Sequence, residues 1–434
     1  VAVSTAAQEI LGVSRREGRR LMDLWWKQMT EAAETGRPCA YVFVMAPVSE
    51  LLLTFDFVIN APEITSLQTA IRGQSQAYIQ LAEDYGYSPD ICGYVKADVG
   101  VQLKQGEHPY GRVPRPALVV TNNVCNTYIK WSEIWEHLYG CPVFTLDLPG
   151  WRGRESLQPG TREFQETFEN DCRYVLGQLQ ELLGLCEQVT GKRFDVDRFR
   201  QHLEETNRMA ELYHAVCDTN RHVPAPFNAP LEGVTYQGIA NLYRGTPEGT
   251  QYFELALEEM RERMRLGMAA VPDERFRLVL VGTACYSHFR RFVELFTSWG
   301  GVFVHSTYMV FAGGGFTPGF RYDLDHPLES FAEQMVRATY WGWTGAMFYQ
   351  QEWLDHVVRE WKVDGICFHG VKSCRTTSTG LPDVREWMRV QRNVPGLFIQ
   401  SDLVDPRLWS DAQIKNRVDA FFEALAAHKA AAGR

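Results

Sequence analysis

Apolar positions recur at spacings of three and four over residues 4–36, where Leu21, Leu24, Trp25, Met29 and Ala32 mark one face of an amphipathic helix. After Pro38 the pattern becomes a continuous apolar run, Cys39–Met45, as in a strand buried on both faces. Ala46-Pro47 closes it, and a helix is expected from about Glu50. Phe57–Asn60 reads as a short second strand ended by Ala61-Pro62-Glu63, with a helix over Ser66–Tyr85 behind it. Ser88-Pro89 marks a turn within Gly86–Gly100, and Cys92 follows directly. Leu118–Thr121 is a further strand that runs into Asn122-Asn123-Val124-Cys125-Asn126, where the asparagines favour turn backbone. A helix over Trp131–Leu138 and a strand over Pro142–Leu146 complete a strand–loop–helix–strand unit, which implies a parallel sheet.

The middle of the chain changes period. Phe164, Phe168, Cys172, Val175, Leu179, Leu182 and Cys186 share one helical face up to Gly191, and Phe199, Leu203, Met209, Tyr213 and Cys217 continue it. Strand-like runs return at Arg277–Thr283, with a turn at Ala284–His288, a helix over Phe289–Trp299 and a strand at Val302–His305. A glycine loop, Gly313–Gly315, precedes an aromatic helical stretch over Leu328–Trp361 that is interrupted at Gly342 and Gly345. The strand Val363–Phe368 leads into an expected turn at His369-Gly370, and Cys374 sits on a loop where a helix begins. A last strand, Gly396–Gln400, has Asp402 and Asp405 just past it, and Ile414–Lys429 is the closing helix. The expected fold class is α/β: two Rossmann- or flavodoxin-like parallel-sheet domains plus a helical segment. The expected partition is an N-terminal helical extension (1–36), a first α/β domain (37–155), a helical domain (156–272) and a second α/β domain (273–434).

Composition narrows the function classes. At 434 residues the chain is long for one core, and 45% apolar with 22% charged residues is ordinary for a globular protein. A formal net charge of −9 argues against nucleic acid as a partner, since that needs a basic face. No apolar run is long enough to span a bilayer and the first residues do not read as a signal peptide, so a cytoplasmic protein is expected. Twelve Trp, 24 Phe and 18 Tyr suit a large apolar pocket or a large subunit contact.

Ten cysteines exceed what packing needs, and no C-x-x-C occurs. Cys92, Cys125 and Cys374 each follow a turn or a strand end among polar neighbours, where a thiol can be a ligand or simply half-buried. Ligands of open α/β sheets bind beyond the carboxyl ends of strands, which favours these three. Cys172, Cys186 and Cys217 lie on helical faces and read as core, as do Cys39 and Cys367 within strands; Cys141 is at the entry end of a strand. Cys285, in the turn after Thr283, is either a ligand or a pocket residue. His288, His305 and His369 stand near strand ends, and His369 is the candidate proton donor because of its nearness to Cys374 in sequence. No P-loop, G-x-G-x-x-G after a strand, G-x-S-x-G or H-E-x-x-H is present. Arg290-Arg291 and Lys372 with Arg375 are candidate holders of an anionic tail.

The local words around the three thiols, SPDICGYVK, NNVCNTYIKW followed by YGCPVFTLDLPG, and HGVKSCR with VPGLFIQSDLVDPR and RVDAFFEAL, resemble the 2-hydroxyacyl-CoA dehydratase / benzoyl-CoA reductase family. The resemblance covers most of the chain and is weakest in the helical middle. The chain's length, the ACYSHFRRF turn and the HGVKSCRTTS ending are most similar to the B-type active-site subunits of the ATP-dependent benzoyl-CoA reductases within it.

The resemblance implies an iron–sulfur cluster, 4Fe-4S or larger, on Cys92, Cys125 and Cys374, beside an acyl-CoA substrate. It implies pairing with a homologous second active-site subunit, and electrons delivered from ferredoxin by ATP-hydrolysing iron–sulfur activator subunits. That matches the missing P-loop here. Cys285, Tyr286 and His288 are the expected substrate-pocket residues. The implied reaction is reduction of benzoyl-CoA to a cyclohexadiene carbonyl-CoA. Dehydration of a 2-hydroxyacyl-CoA is the alternative, and a non-catalytic electron-relay or scaffold subunit is the reading from another class.

Overall fold

Continuous apolar runs become the strands of two parallel sheets. The computed structural model describes residues 10–45, 47–150, 159–312, 316–341, 347–431 and 433. The glycine loop Gly313–Gly315 and the helix interruption at Gly342 and Gly345 lie outside the described residues. The first sheet contains β1 (Cys39–Val42), β2 (Val58–Asn60), β3 (Leu118–Asn122) and β4 (Val143–Leu146), in the order β2-β1-β3-β4. The second contains β5 (Phe276–Val281), β6 (Gly301–Ser306), β7 (Gly365–Val371) and β8 (Gly396–Ser401), in the order β8-β7-β5-β6. The first sheet, counted from its own first strand, runs second–first–third–fourth; the second, fourth–third–first–second. Both are parallel four-stranded sheets in which the first and third strands are the central pair. In each the chain reverses direction across the sheet beside the first strand, as in doubly wound folds.

Both faces of the central strands are covered, which is why these strands show no polar alternation. Phe276, Leu278 and Leu280 of β5 enter the largest core, while Val279 and Val281 point into a second core on the opposite face. Likewise Cys39 and Tyr41 of β1 face the largest core, and Ala40 and Val42 face the layer that holds the long helices. The largest core is continuous from Leu21 in the first described helix to Leu425 in the last, so one apolar interior joins the sheets.

The helical middle consists of Arg162–Thr190, Val196–Asp218, Ala229–Leu242 and Pro247–Arg265. Gly191 ends the first of these in a left-handed conformation, φ 68°. Asp195 starts the next, its carboxylate accepting from the backbone N–H groups of Asp197 and Arg198, both at 3.0 Å. Asp195→Ala is expected to cost about 1 kcal/mol, seen as a lower urea midpoint with an unchanged slope. A buried ion pair, Arg244 Nε to Glu50 Oε1 at 2.5 Å, ties this segment to the first sheet. Among the described residues no helix is long and apolar enough to cross a membrane.

Three local expectations change. The helix expected over Ser66–Tyr85 is two helices, Pro62–Ile71 and Ser75–Tyr85, because Gly73 at φ 71° breaks the run. Gly86–Gly100 contains the start of a helix, Gly93–Leu103, that the sequence pattern does not announce. His369-Gly370 is not a turn but the interior of β7, and the turn comes after Val371.

Candidate active site

Cys92, Cys125 and Cys374 each occupy the residue immediately before a helix: Gly93–Leu103, Asn126–Tyr139 and the short Arg375–Ser378. Cys125 and Cys374 are each three residues beyond the third strand of their sheet, so the two sheets present them at equivalent places. A Ser or Asp at such a position would cap the helix, yet none of the three thiols completes a capping hydrogen bond. All three are half-buried, and all ten cysteines are free.

The fold brings these thiols together across the chain. Cys125 Sγ is 3.7 Å from Thr376 Oγ1, beside Cys374, and the Gly93 N–H donates to Ser373 Oγ at 3.1 Å. Burial pushes the Cys92 thiol well above its ordinary pKa, and the nearby Cys374 and Cys125 raise it further. Burial also raises Cys374, partly offset by the hydroxyl and N–H of Thr377. Among the described residues no three or more His, Cys, Asp and Glu side chains gather closely enough to hold one metal ion. The thiols are charge neighbours rather than a close-packed single-ion set. Three thiols without an imidazole among them fit a multi-iron sulfur cluster, which thiolates hold on separate irons.

The helix Gly93–Leu103 is the hub of the site, and its polar residues are interior. Asp98 Oδ2 accepts from Trp131 Nε1 and Trp135 Nε1, each at 2.8 Å, which fastens the Cys92 helix to the Cys125 helix. Lys96 Nζ lies 3.0 Å from Glu83 and 3.6 Å from Asp405, which fastens it to the end of the second sheet. Asp402, fully buried, accepts from the backbone N–H and the hydroxyl of Ser373 and from the N–H groups of Val404 and Asp405. A side chain at position 93 would set its Cβ 2.6 Å from Asp402 Oδ1, so only glycine admits this approach.

A cavity of about 670 Å³ lies between the first described helix, the helix Pro62–Ile71 and the helix Ala229–Leu242. Its buried walls include Trp26, Val44, Ile64, Leu67, Tyr286 and Tyr308. Its mouth carries Arg19, Arg72 and Arg290, and among the described residues none of these three forms a salt bridge. Arg72 lies over the Tyr110 ring at 4.1 Å. Arg291, by contrast, is paired with Asp411 at 2.6 Å. Arg375 turns back to the Lys372 carbonyl at 2.6 Å, away from the cavity walls.

Glu63 stands between cavity and thiols. It neighbours Ile64 of the cavity wall, accepts from the Val44 N–H at 3.3 Å and faces Tyr128, which in turn feels the charges of Cys125 and Cys92. Burial raises its pKa from 4.5 to about 7, opposed in part by the Tyr128 hydroxyl. Its Oε2 is buried without a well-formed hydrogen bond, and the Tyr128 hydroxyl lies nearby.

A raised carboxyl pKa means the folded state holds a proton that the unfolded chain has released. The stability tied to that proton is complete below about pH 4.5 and is lost as pH rises through about 7. Glu63→Gln is expected to remove this loss, worth up to about 3 kcal/mol. Urea unfolding of both proteins at pH 5 and pH 8 checks it: the wild-type deficit relative to the variant is larger at pH 8.

Of the residues expected at a pocket, Tyr286 lines the cavity, whereas Cys285 and His288 do not. Cys285 turns inward, buried beside Ser287 at 3.6 Å. His288 stacks on Trp409 with centroids 4.9 Å apart. His369 is fully buried, Nδ1 2.6 Å from the Thr283 carbonyl and Nε2 2.7 Å from Ser401 Oγ, and burial lowers its pKa. Both ring nitrogens are engaged across strands, so the side chain is not presented to the cavity. Glu63, Asp402, Asp98 and Tyr94 are not singled out as site residues by the sequence. Only Pro62-Glu63 at a strand exit, and Asp402 past β8, carry a positional signal.

The model of the 2-hydroxyglutaryl-CoA dehydratase D-component family matches residues 44–425. The chain is 32% identical over 410 residues to the B subunit of the benzoyl-CoA reductase of Thauera aromatica, covering 92% of this chain and 91% of that one. It is 24% identical to the alpha subunit of (R)-2-hydroxyglutaryl-CoA dehydratase of Acidaminococcus fermentans, covering 96% and 98%. It is also 24% identical to the (R)-phenyllactyl-CoA dehydratase alpha subunit of Clostridium sporogenes, covering 92% and 93%.

Proposed function

The chain belongs to the 2-hydroxyglutaryl-CoA dehydratase D-component family, and from that premise we propose that it is an active-site subunit of a benzoyl-CoA-reducing enzyme. In this reading Cys92, Cys125 and Cys374 hold an iron–sulfur cluster, and the cavity beside them takes an acyl-CoA. The observation that carries it is the meeting of three thiols from the two halves of the chain, linked through Tyr128, Glu63 and Tyr94 to a cavity with an apolar interior and a cationic mouth. The 32% identity to a benzoyl-CoA reductase chain supports the choice of reaction.

Held by Cys92, Cys125 and Cys374, an iron–sulfur cluster would supply single electrons at low potential. The chain's own residues supply the rest. Arg19, Arg72 and Arg290 at the mouth bind phosphates of the coenzyme tail. Trp26, Val44, Ile64 and Leu67 exclude water from the acyl group, which strengthens every charge interaction inside. Glu63 holds a proton on a carboxyl whose pKa sits near neutrality and delivers it toward the reduced acyl group. Conversion of benzoyl-CoA to a cyclohexadiene carbonyl-CoA takes up two electrons and two protons. The electrons come from ATP-hydrolysing iron–sulfur activator subunits served by ferredoxin, and a homologous second subunit completes the cytoplasmic complex. A cavity next to the thiols favours a catalytic subunit over a relay or scaffold.

The dehydratase relatives support a second reading, water loss from a 2-hydroxyacyl-CoA at the same site. One experiment separates them. The complex, prepared without oxygen and given ATP and a strong reductant, is expected to consume the aromatic absorbance of benzoyl-CoA. Water loss from a 2-hydroxyacyl-CoA with benzoyl-CoA untouched would transfer the assignment to the dehydratase.

A further inference from the structure

The inner end of the cavity is a cluster of phenols. Tyr286 and Tyr308 line it, and Tyr94, two residues beyond Cys92, stands close behind them. The three hydroxyls lie near one another, and those of Tyr94 and Tyr286 are buried without a well-formed hydrogen bond. Two buried hydroxyls with only poorly aligned phenol neighbours are costly, because a hydroxyl taken from water without a full partner loses about 1–3 kcal/mol. The backbone holds them firmly in place. The Tyr286 N–H donates to the Leu403 carbonyl at 2.9 Å, the Tyr308 N–H donates to Ser306 Oγ at 3.2 Å, and Tyr94 lies in the helix fixed by Asp98 and Lys96.

The charge around them selects the missing acceptor. The buried cavity walls carry no Lys or Arg; the cations are confined to the mouth. Glu63 stands near Tyr308, so an anionic group at the inner end would meet a carboxyl rather than a cation. The acceptor that fits is a neutral oxygen on an apolar body.

We propose that the hydroxyls of Tyr94 and Tyr286, steadied by Tyr308, are the paired hydrogen-bond donors for the thioester carbonyl oxygen of the bound acyl-CoA. This rests on the acyl-CoA reading of the cavity and adds the contact that fixes the acyl end. A thioester carbonyl gains negative charge when an electron enters the conjugated ring, so donors already aimed at that oxygen strengthen as the charge develops. No proton leaves either phenol; they donate hydrogen bonds only.

The test compares benzoyl-CoA with S-benzyl-CoA, a thioether in which a methylene replaces the carbonyl, as ligands of the anaerobically purified complex. The unmodified complex is expected to bind benzoyl-CoA roughly five- to twentyfold more tightly, about one neutral hydrogen bond per donor. Tyr286→Phe and Tyr94→Phe should each shrink that preference by about fivefold and lower kcat by roughly 10²–10³, with KM rising by no more than about fivefold. The infrared carbonyl stretch of bound benzoyl-CoA should move to lower frequency in the unmodified complex and move back in either variant. Should one variant fail to fold, the stretch in the unmodified complex and in the other variant still decides. Failure of both ligands to bind would remove the acyl-CoA reading itself. Equal binding of both ligands, or a carbonyl stretch that neither substitution shifts, would overturn the phenol assignment and leave the acyl-CoA reading standing.

Discussion

Asp402→Ala is expected to destabilise the chain by roughly 3–5 kcal/mol and to release bound iron together with stability. The carboxylate is fully buried and receives two donors on each oxygen: the N–H and hydroxyl of Ser373 on Oδ2, and the N–H groups of Val404 and Asp405 on Oδ1. Its removal leaves all four without a partner, and each buried orphan costs about 1–3 kcal/mol before relaxation. The loss also reaches the thiols. Ser373 precedes Cys374 and its hydroxyl accepts from the Gly93 N–H, next to Cys92. One carboxylate therefore sets two of the three thiol-bearing turns. Asp402→Asn should be intermediate, since an amide can keep its acceptor on one side but turns a donor on the other. Urea unfolding with iron analysis of the same samples checks this. A loss under about 1 kcal/mol in the alanine variant, less than one buried orphan costs, would show that the turns hold themselves.

Glu63→Gln is expected to lower turnover by roughly 10²–10⁴, the range for a general acid in proton transfer, with iron content unchanged. Glutamine keeps the shape and can still accept the Val44 N–H, but it has no proton to give. Because the carboxyl titrates at about 7, the activity of the unmodified enzyme should fall as pH rises past that value. The residual activity of the variant should lack that limb. A variant with the same pH profile and full turnover would assign the protons to another group. The substitution reads the same way in the reductase and the dehydratase reactions, so it tests the residue and not the substrate.

The parts of the structure that the sequence announces are those made by neighbouring residues. The strands around Tyr41, Val119, Leu278 and Ile366 stand out because parallel strands covered on both faces are unbroken apolar runs. The helix Gly93–Leu103 escapes for a related reason. It is buried on nearly every side, with Lys96, Asp98 and Gln102 as interior residues, so no stripe of one polarity exists to be read. His369-Gly370 looks like a turn by composition, but β7 extends through it because β8 pairs with it along the backbone as far as Val371 and Ser401.

The three thiols are legible by position, each at a strand exit or turn, and by resemblance to a family. Their convergence is not, since Cys92 and Cys374 are joined through Ser373, which lies 280 residues along the chain from Gly93. Glu63, Tyr94 and Tyr308 share that difficulty: each is unremarkable among its sequence neighbours and gains its meaning from segments that meet only in the fold.

Cys92, Cys125 and Cys374 are expected to hold one cluster. Iron and acid-labile sulfide, measured per chain on complexes purified without oxygen, test it most directly. The comparison is among the unmodified chain, the three single alanine substitutions at those thiols, and Cys172→Ser, whose half-buried thiol lies on the long helix Arg162–Thr190. Each of the three alanine variants is expected to lose most of the iron and sulfide assigned to this chain, while Cys172→Ser keeps it all. Full iron and sulfide in any one of Cys92→Ala, Cys125→Ala or Cys374→Ala would contradict it.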